Sequence, residues 1–193
     1  MLVPFPTPDQ KDYVLTGSGK WGTTSKNLAP VTLSGKNTVE FINISPAAAA
    51  ITVMFKDVNI PSGNPDFVVQ VGYGTTPTYM AGGYTGSTIT IYQSQTIVTP
   101  YQNGFGIWSS VSPRTANVTS FTGVMRIALF DPDTNMWIAS LSGSIVLNNA
   151  PYVITSSSYI ALLSPLTAVR VTAFTNNPAV TFGGGAINVL YTI

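Results

Sequence analysis

Short apolar runs alternate with clusters of turn-forming residues along most of the chain. The runs are rich in β-branched and aromatic residues, and each is bounded by Gly, Pro, Asn or Ser. Runs of this kind predict the strands of an antiparallel β-sandwich or barrel. The predicted strands are 38–44, 50–55, 66–72, 87–92, 104–108, 123–130, 136–141, 144–147, 168–174 and 186–192.

Alternation between apolar and other positions is clearest in two of these runs. Because successive side chains of a strand point to opposite faces, one face of each run is expected to enter a core. No long window repeats with a helical period, so at most one or two helical turns are expected. The core-facing positions are Met125, Ile127 and Leu129 in one run, and Val169, Val171 and Ala173 in the other.

The first 36 residues differ from the rest of the chain. Pro, Thr, Gly, Ser and Lys dominate this segment, and its strand pattern is weak. We predict an extended N-terminal arm over 1–36 and a folded domain over 37–193. The arm is expected either to be a disordered tail or to order against another subunit. A free tail does not need large apolar anchors, so both alternatives stay open; the anchors are Phe5, Tyr13, Leu15 and Trp21.

Charge is scarce throughout the chain. Eight Lys and Arg against seven Asp and Glu give a net charge of +1 over 193 residues, and only 8% of residues are charged. No nucleic-acid partner is expected, because phosphate binding needs clustered basic residues. No apolar run is long enough for membrane insertion.

A 45% hydrophobic chain with few charges is poorly protected against self-association, which predicts a surface covered by other subunits. The alternative is a neutral monomer kept in solution by its Ser, Thr, Asn and Gln.

The chain contains no Cys and no His. Disulfides, zinc–thiolate sites, cysteine nucleophiles and histidine acid–base catalysis are therefore absent from its chemistry. Glycoside hydrolysis would need two paired carboxylates. No such pair can be recognised, so we expect no catalytic residue, no cofactor and no enzymatic activity. The carboxylates considered are Glu40, Asp57, Asp66, Asp131 and Asp133.

The segment FDPDTNMW, residues 130–137, resembles the start of a calcium-binding loop. Its acidic and amide side chains occupy the first three ligand positions of an EF-hand. Met136 and Ser142 stand where that loop requires Gly and a bidentate Glu. Since the segment joins two predicted strands, a hairpin turn is the better interpretation, and no metal site is predicted.

Aromatic residues are interleaved with Gly, Thr and Gln between residues 73 and 108. Such rings are able to stack on sugars, which makes host glycan a candidate ligand. Alternatively, half of them pack inward and the others lie in a subunit interface, where Tyr and Trp are favoured. The candidates for glycan contact are Tyr73, Tyr79, Tyr84, Tyr92, Tyr101 and Trp108.

A resemblance to a known family comes from the order of several segments. FVVQVGYG is followed by YMAGGYTG, NGFGIW, FTGVMRIALFDPDTNMWIASLSG and LTAVRVTAFTNNPAVTFGGGAINVLYTI. This order resembles a domain of virion structural and tail-associated proteins of tailed bacteriophages. The resemblance leaves out the N-terminal arm. It implies a jelly-roll or lectin-like sandwich and brings no catalytic residue with it.

These observations predict an all-β, antiparallel, jelly-roll-like sandwich that assembles as a homo-oligomer, a trimer, on a phage virion. Its partners would be itself and the capsid or tail proteins of the particle. Two functions compete: a capsid decoration or cement protein attached by its arm, and a tail or fibre component that contacts host glycans. A short domain with an arm favours decoration, because a tail adhesin carries more chain for a shaft. A free carbohydrate-binding module is the third alternative.

Overall fold

The computed structural model describes residues 13–15, 21–23, 25–59, 66–92, 95–108, 118–147, 150–174 and 181–193. Within these ranges the chain forms strands and no helix, so no described helix could cross a membrane. The first eight strands are β1 (Tyr13–Leu15), β2 (Trp21–Thr23), β3 (Ser25–Asn27), β4 (Val31–Thr32), β5 (Thr38–Phe41), β6 (Ala50–Asn59), β7 (Asp66–Tyr73) and β8 (Thr78–Tyr79). The others are β9 (Thr85–Tyr92), β10 (Gln95–Tyr101), β11 (Phe105–Trp108), β12 (Val118–Asp131), β13 (Met136–Leu147), β14 (Ala150–Ala161), β15 (Leu166–Phe174) and β16 (Gly184–Thr192).

The strands form two principal antiparallel sheets, as expected for a β-sandwich. The larger sheet has the order β10-β9-β14-β13-β12-β6-β16-β3, and β4 also pairs with β16. The smaller sheet has the order β11-β7-β15-β5, and β8 also pairs with β7. The predicted all-β antiparallel class is confirmed.

The core lies between the inner faces of the two sheets, and Phe67 stands at its centre. Its ring packs edge-on against Phe55 and Phe121 of the larger sheet, with ring centroids 5.8 and 5.9 Å apart. It also contacts Phe182 at 5.4 Å. Edge-to-face pairs of this kind add to the burial of apolar area, so Phe67 joins the two sheets.

The alternation seen in the sequence sets the orientation of the central strands. Met125 and Ile127 are fully buried, whereas Arg126 between them is exposed on the outer face. In β15, Val169 and Val171 are likewise fully buried. The predicted core positions of both runs are therefore confirmed.

The two predicted runs 136–141 and 144–147 form one continuous strand, β13. Gly143 separates them in the sequence, and Gly lowers strand propensity. In the structure a Cβ on Gly143 would lie 2.7 Å from the ring of Phe121. The glycine thus makes room for a core aromatic ring and does not end the strand.

The folded domain begins earlier than residue 37. Strands β3 and β4 pair with β16, and Leu33 is fully buried in the core. The predicted boundary after residue 36 therefore lies inside the sandwich. The sequence pattern shows little sign of this, because such short edge strands are held by backbone hydrogen bonds and need no hydrophobic repeat.

Three of the predicted arm anchors lie on the paired strands β1 and β2. Their backbones are placed by the pairing of Tyr13 with Thr23 and of Leu15 with Trp21. The side chains of these residues, and the whole of Phe5, lie outside the described residues. The role of the arm therefore stays a prediction.

Candidate functional site

The outer face of the larger sheet exposes many apolar side chains. Each strand turns every second side chain away from the core, and on this sheet several of those are large and aliphatic or aromatic. Phe130 is 68% exposed, Val98 61% and Val153 56%. We call this the outer-sheet face, defined by Ile91, Val98, Val124, Phe130, Ile138, Val153 and Tyr159.

Strand register brings members of the outer-sheet face together. Ile91 lies opposite Val153 across β9 and β14, and Ile138 lies opposite Tyr159 across β13 and β14. Strands β9, β10, β13 and β14 contain no Asp, Glu, Lys or Arg. Exposed large apolar side chains on strands without charge are typical of a protein interface, and on β12 the same face also carries the exposed Arg126. The strand pattern did not predict this surface, although the β-branched run of residues 96–98 is a signal for the strand at its edge.

A small depression lies near the other end of the same sheet, between β6 and β16. Its volume is about 200 Å³, and Met54, Ile187 and Pro30 contribute to an almost wholly apolar lining. Pockets for cofactors and drug-sized ligands are typically about 300 to 1,000 Å³. The depression is therefore too small for such a ligand.

A polar cluster lies on the outer face of the smaller sheet. We call it the Arg170 cluster, and it consists of Glu40, Gln70, Tyr79 and Arg170, from β5, β7, β8 and β15. The Gln70 amide is fully buried, and its Oε1 accepts hydrogen bonds from Nε, at 2.9 Å, and Nη2 of Arg170. Its Nε2 donates to the carbonyl of Asn103 at 2.6 Å. The buried amide is satisfied at both ends, as stability requires.

The Arg170 guanidinium also lies over the Tyr79 ring, with Cζ 4.3 Å from the ring centroid. This is the geometry of a cation–π interaction. Its Nη1 is 3.9 Å from Oε1 of Glu40, an exposed ion pair of little energetic weight. Burial, and next the Glu40 carboxylate, raise the pKa of Tyr79 to about 12 although Arg170 opposes this. The phenol of Tyr79 therefore stays neutral near neutral pH, and the contacts of the cluster anchor the strands of the smaller sheet to one another.

Three of the six predicted glycan-contact residues are core residues. Tyr84, Tyr101 and Trp108 are 2%, 3% and 1% exposed. The Tyr84 hydroxyl accepts a hydrogen bond from Val71 N–H at 2.9 Å, and its ring packs against Phe105. These three rings present no exposed face for a sugar, which corrects the prediction for them. The physical reason is that β11, the end of β10 and the residue just before β9 lie close to the sandwich interior, which the local sequence does not reveal.

The other three candidates differ among themselves. The Tyr79 ring is covered by the Arg170 guanidinium and also lies close to Gly72, where an added Cβ would be 3.0 Å from the ring. Tyr73 is half-buried and packs against the core. Tyr92 ends β9, and its side chain lies outside the described residues. The six residues therefore do not form one exposed aromatic platform.

Residues 131–135 form the predicted turn between β12 and β13. Asp131 Oδ1 accepts the Asp133 N–H at 2.9 Å, and its Oδ2 accepts the Thr134 hydroxyl at 2.7 Å. Asn135 adopts the left-handed region at φ 50°. The Thr134 and Asp133 hydrogen bonds lower the pKa of Asp131. The turn is confirmed, and in the described ranges no three His, Cys, Asp or Glu residues converge as metal ligands would.

No family model matches this chain, no curated protein matches its sequence, and no solved structure matches its fold. Among the described surfaces, the outer-sheet face has the clearest functional meaning, because it exposes several large apolar side chains.

Proposed function

We propose that this chain is a structural subunit of a bacteriophage virion, a capsid decoration protein that performs no reaction. One observation carries the proposal: the outer-sheet face exposes seven large apolar side chains, and four of its five strands have no charged residue. A monomer gains nothing from such a surface and risks aggregation, whereas a subunit of an assembly covers it. The resemblance to virion and tail-associated proteins supports the same function.

We further propose that the sandwich is a jelly roll. In that fold eight strands, B to I, form one sheet with the order B-I-D-G and another with the order C-H-E-F. The order β5-β15-β7-β11 fits C-H-E-F, and β3/β4-β16-β6-β12 fits B-I-D-G. The pairs β9–β10 and β13–β14 are then additions that widen the larger sheet, and they carry most of the outer-sheet face. Jelly rolls are frequent in viral capsid and lectin domains.

The proposed assembly is a homo-oligomer, a trimer, attached to the capsid shell by the N-terminal segment. The support for attachment is the set of large apolar anchors Phe5, Tyr13, Leu15 and Trp21 in an otherwise polar and Pro-rich stretch. Residues 25–36 belong to the sandwich, so the attaching segment is confined to 1–24.

Copy number tests the proposal most directly. Quantitative mass spectrometry of purified particles from a host that carries the gene should find the chain in hundreds of copies per particle, in proportion to the major capsid protein. A few tens of copies or fewer would point to the tail instead. Absence from particles would refute a virion role and leave the free carbohydrate-binding module.

The arm is tested by substitutions that leave the sandwich intact. Phe5→Ala combined with Trp21→Ala should abolish attachment to particles that lack the protein, while the thermal unfolding midpoint stays unchanged. Lys26→Ala, on an exposed edge strand, is the matched control and should attach normally. Normal attachment of the double variant would contradict the role of the arm. Removal of residues 1–36 is unsuitable, because it deletes β3, β4 and the buried Leu33.

The alternative function, contact with host glycans, has less support. Of its six candidate rings, Tyr84, Tyr101 and Trp108 are buried, and Tyr79 is covered by Arg170. Binding of the purified protein to an array of bacterial surface glycans would favour this alternative, provided that Tyr73→Ala abolished the binding.

A further inference from the structure

The edges of a β-sheet expose unpaired backbone N–H and C=O groups, and natural proteins protect them. The larger sheet ends at β3 and at β10, and the smaller sheet ends at β5 and at β11. Of these four described edges, β10 lacks the usual protection along most of its length.

Three of the edges are short, charged or buried. Strand β3 has three residues and carries the exposed Lys26. Strand β5 has four residues and carries the exposed Glu40. Strand β11 has four residues, all buried, and its Gly106 carbonyl accepts a hydrogen bond from the Thr88 hydroxyl at 3.0 Å. Short length, a charged side chain and coverage are the devices that prevent unwanted pairing at an edge.

Strand β10 has none of these devices along most of its length. It runs for seven residues, from Gln95 to Tyr101, without a charged side chain. Thr96 and Val98 are exposed, and Val98 retains 61% of its surface. Thr, Ile and Val at 96–98 have high strand propensity. Only Pro100, near the end of the strand, limits pairing.

The position of Pro100 indicates which backbone groups are available. Pro100 lies opposite Ser87 of β9, and a proline fits a strand where its nitrogen points away from the paired neighbour. Because hydrogen-bonding direction alternates along an antiparallel pair, the N–H and C=O groups of Val98 and Thr96 also point away from β9. Within the described ranges, β10 pairs only with β9.

We propose that β10 pairs antiparallel with β10 of a second copy of this chain, so that two larger sheets join into one continuous sheet across a two-fold axis. An uncharged strand can face its own copy without bringing like charges together. The pairing satisfies the outward groups of Thr96 and Val98 in both copies at once. It also closes on itself, because a two-fold contact uses the same edge of each partner and leaves no further β10 edge for growth.

The neighbouring side chains favour the same partner. Val98 lies opposite Ile89, and the next outward position of β9, Ile91, lies opposite Val153 of β14. A two-fold pairing would place this apolar strip beside its own copy and extend it across the junction. The proposal does not depend on a virion function, since a two-fold edge contact can act alone or link proposed trimers.

The absence of cysteine allows a direct test by disulfide formation. In Val98→Cys the two new thiols should be oxidised to an intermolecular disulfide by glutathione disulfide, which is reduced to two glutathione molecules. Val153→Cys is the matched control, because it is similarly exposed on the same face but lies in β14, away from the edge. Rapid dimer formation by V98C and slow formation by V153C are expected. The reverse order would overturn edge pairing in favour of face-to-face association.

Sedimentation velocity of the uncross-linked protein provides the second test. The full chain should sediment as a dimer or a larger even-numbered species. Val98→Lys should weaken the dimer at least tenfold, because it places two like charges near the axis, while Val153→Lys should leave it intact. Both variants must keep the thermal unfolding midpoint of the parent. A full chain that stays monomeric up to about 100 µM would overturn the proposal, even if its β10 edge captured a foreign peptide.

Discussion

Arg170 donates two hydrogen bonds to one acceptor atom of Gln70, which lies on the adjacent strand of the smaller sheet. Both Nε and Nη2 of the arginine donate to Oε1 of the glutamine. Gln70 is fully buried although it points away from the core of the sandwich. Its amide N–H also holds the carbonyl of Asn103, so the loop after β10 is tied to the middle of β7. One buried side chain thus connects β7, β15 and this loop.

Replacement of this amide by an apolar side chain should be costly. Gln70→Leu removes the acceptor of two N–H groups of Arg170 and the donor to the Asn103 carbonyl, and loss of such partly buried hydrogen bonds costs about 1 to 3 kcal/mol in total. The free energy of unfolding in urea should fall by that amount. Arg126→Met, on the exposed face of the larger sheet, is the control and should change stability by less than about 0.5 kcal/mol. Equal stability of Q70L and the parent would show that the network contributes nothing.

The Tyr84 hydroxyl lies beside β7, between the part of that strand that pairs with β11 and the part that pairs with β8. This hydroxyl accepts the buried Val71 N–H, so Tyr84→Phe should leave that donor unpaired and lower the free energy of unfolding by about 1 to 3 kcal/mol. Tyr159→Phe removes the same hydroxyl from a ring that is 46% exposed and should have almost no effect. Urea unfolding of both variants makes the comparison. A similar loss in the two would argue against the Val71 hydrogen bond as the cause.

Alkaline pH should destabilise the fold through its buried phenols. Burial raises the pKa of Tyr79 to about 12 from the ordinary value of 10.0, and raises the pKa of Tyr84 further. A raised pKa in the folded state gives a stabilisation that is complete below pH 10 and is lost as pH rises through 10 to 12, because Tyr79 and Tyr84 ionise more readily there in the unfolded chain than in the folded one. The urea midpoint should fall in this interval. The fall should be smaller in Tyr84→Phe, and an identical fall in that variant would contradict the assignment.

The turn after β12 should respond to acid and not to calcium. The hydrogen bonds to Asp131 lower its pKa, so they stabilise the fold above its ordinary pKa of 3.8 and lose this effect as pH falls below it. Asp131→Ala should therefore be less stable than the parent at neutral pH, and the difference should shrink in acid. Asp133→Ala is the control, because residue 133 donates to Asp131 through its backbone N–H, which this substitution keeps. A rise in the thermal midpoint with millimolar calcium, absent in D131A, would revive a metal site.

The local pattern was sufficient for the central strands and for the turn between β12 and β13. The alternation of Met125 and Ile127 with Arg126 predicted both the strand and the side that it buries. Pro and Asp in a short gap between two strands predicted the hairpin. Strand β14, with its serine run at 156–158, was missed because Ser carries neither hydrophobic period nor strand propensity. It forms nevertheless, since β13 and β9 satisfy its backbone on both sides.

Burial of individual aromatic residues could not be predicted from the sequence. Tyr84 is 2% exposed and Tyr159 is 46% exposed, although both are tyrosines next to strand-forming residues. An amphipathic ring suits a core and a surface equally well. Neighbouring residues do not distinguish the two. Their environments differ because Tyr84 lies against β7 and Phe105, whereas Tyr159 points outward from the larger sheet.

The sequence by itself determined the two-residue alternation of apolar side chains along the strands, the residues that form the turns and the scarcity of charge. Each of these properties depends only on composition or on residues that are close together in the chain. Only the tertiary structure decided which faces are covered, which edge is left open and which polar groups meet. Arg170 and Gln70 are 100 residues apart in the chain. Their hydrogen bonds exist because β7 and β15 pair in one particular register, which is set by the packing of the whole sandwich.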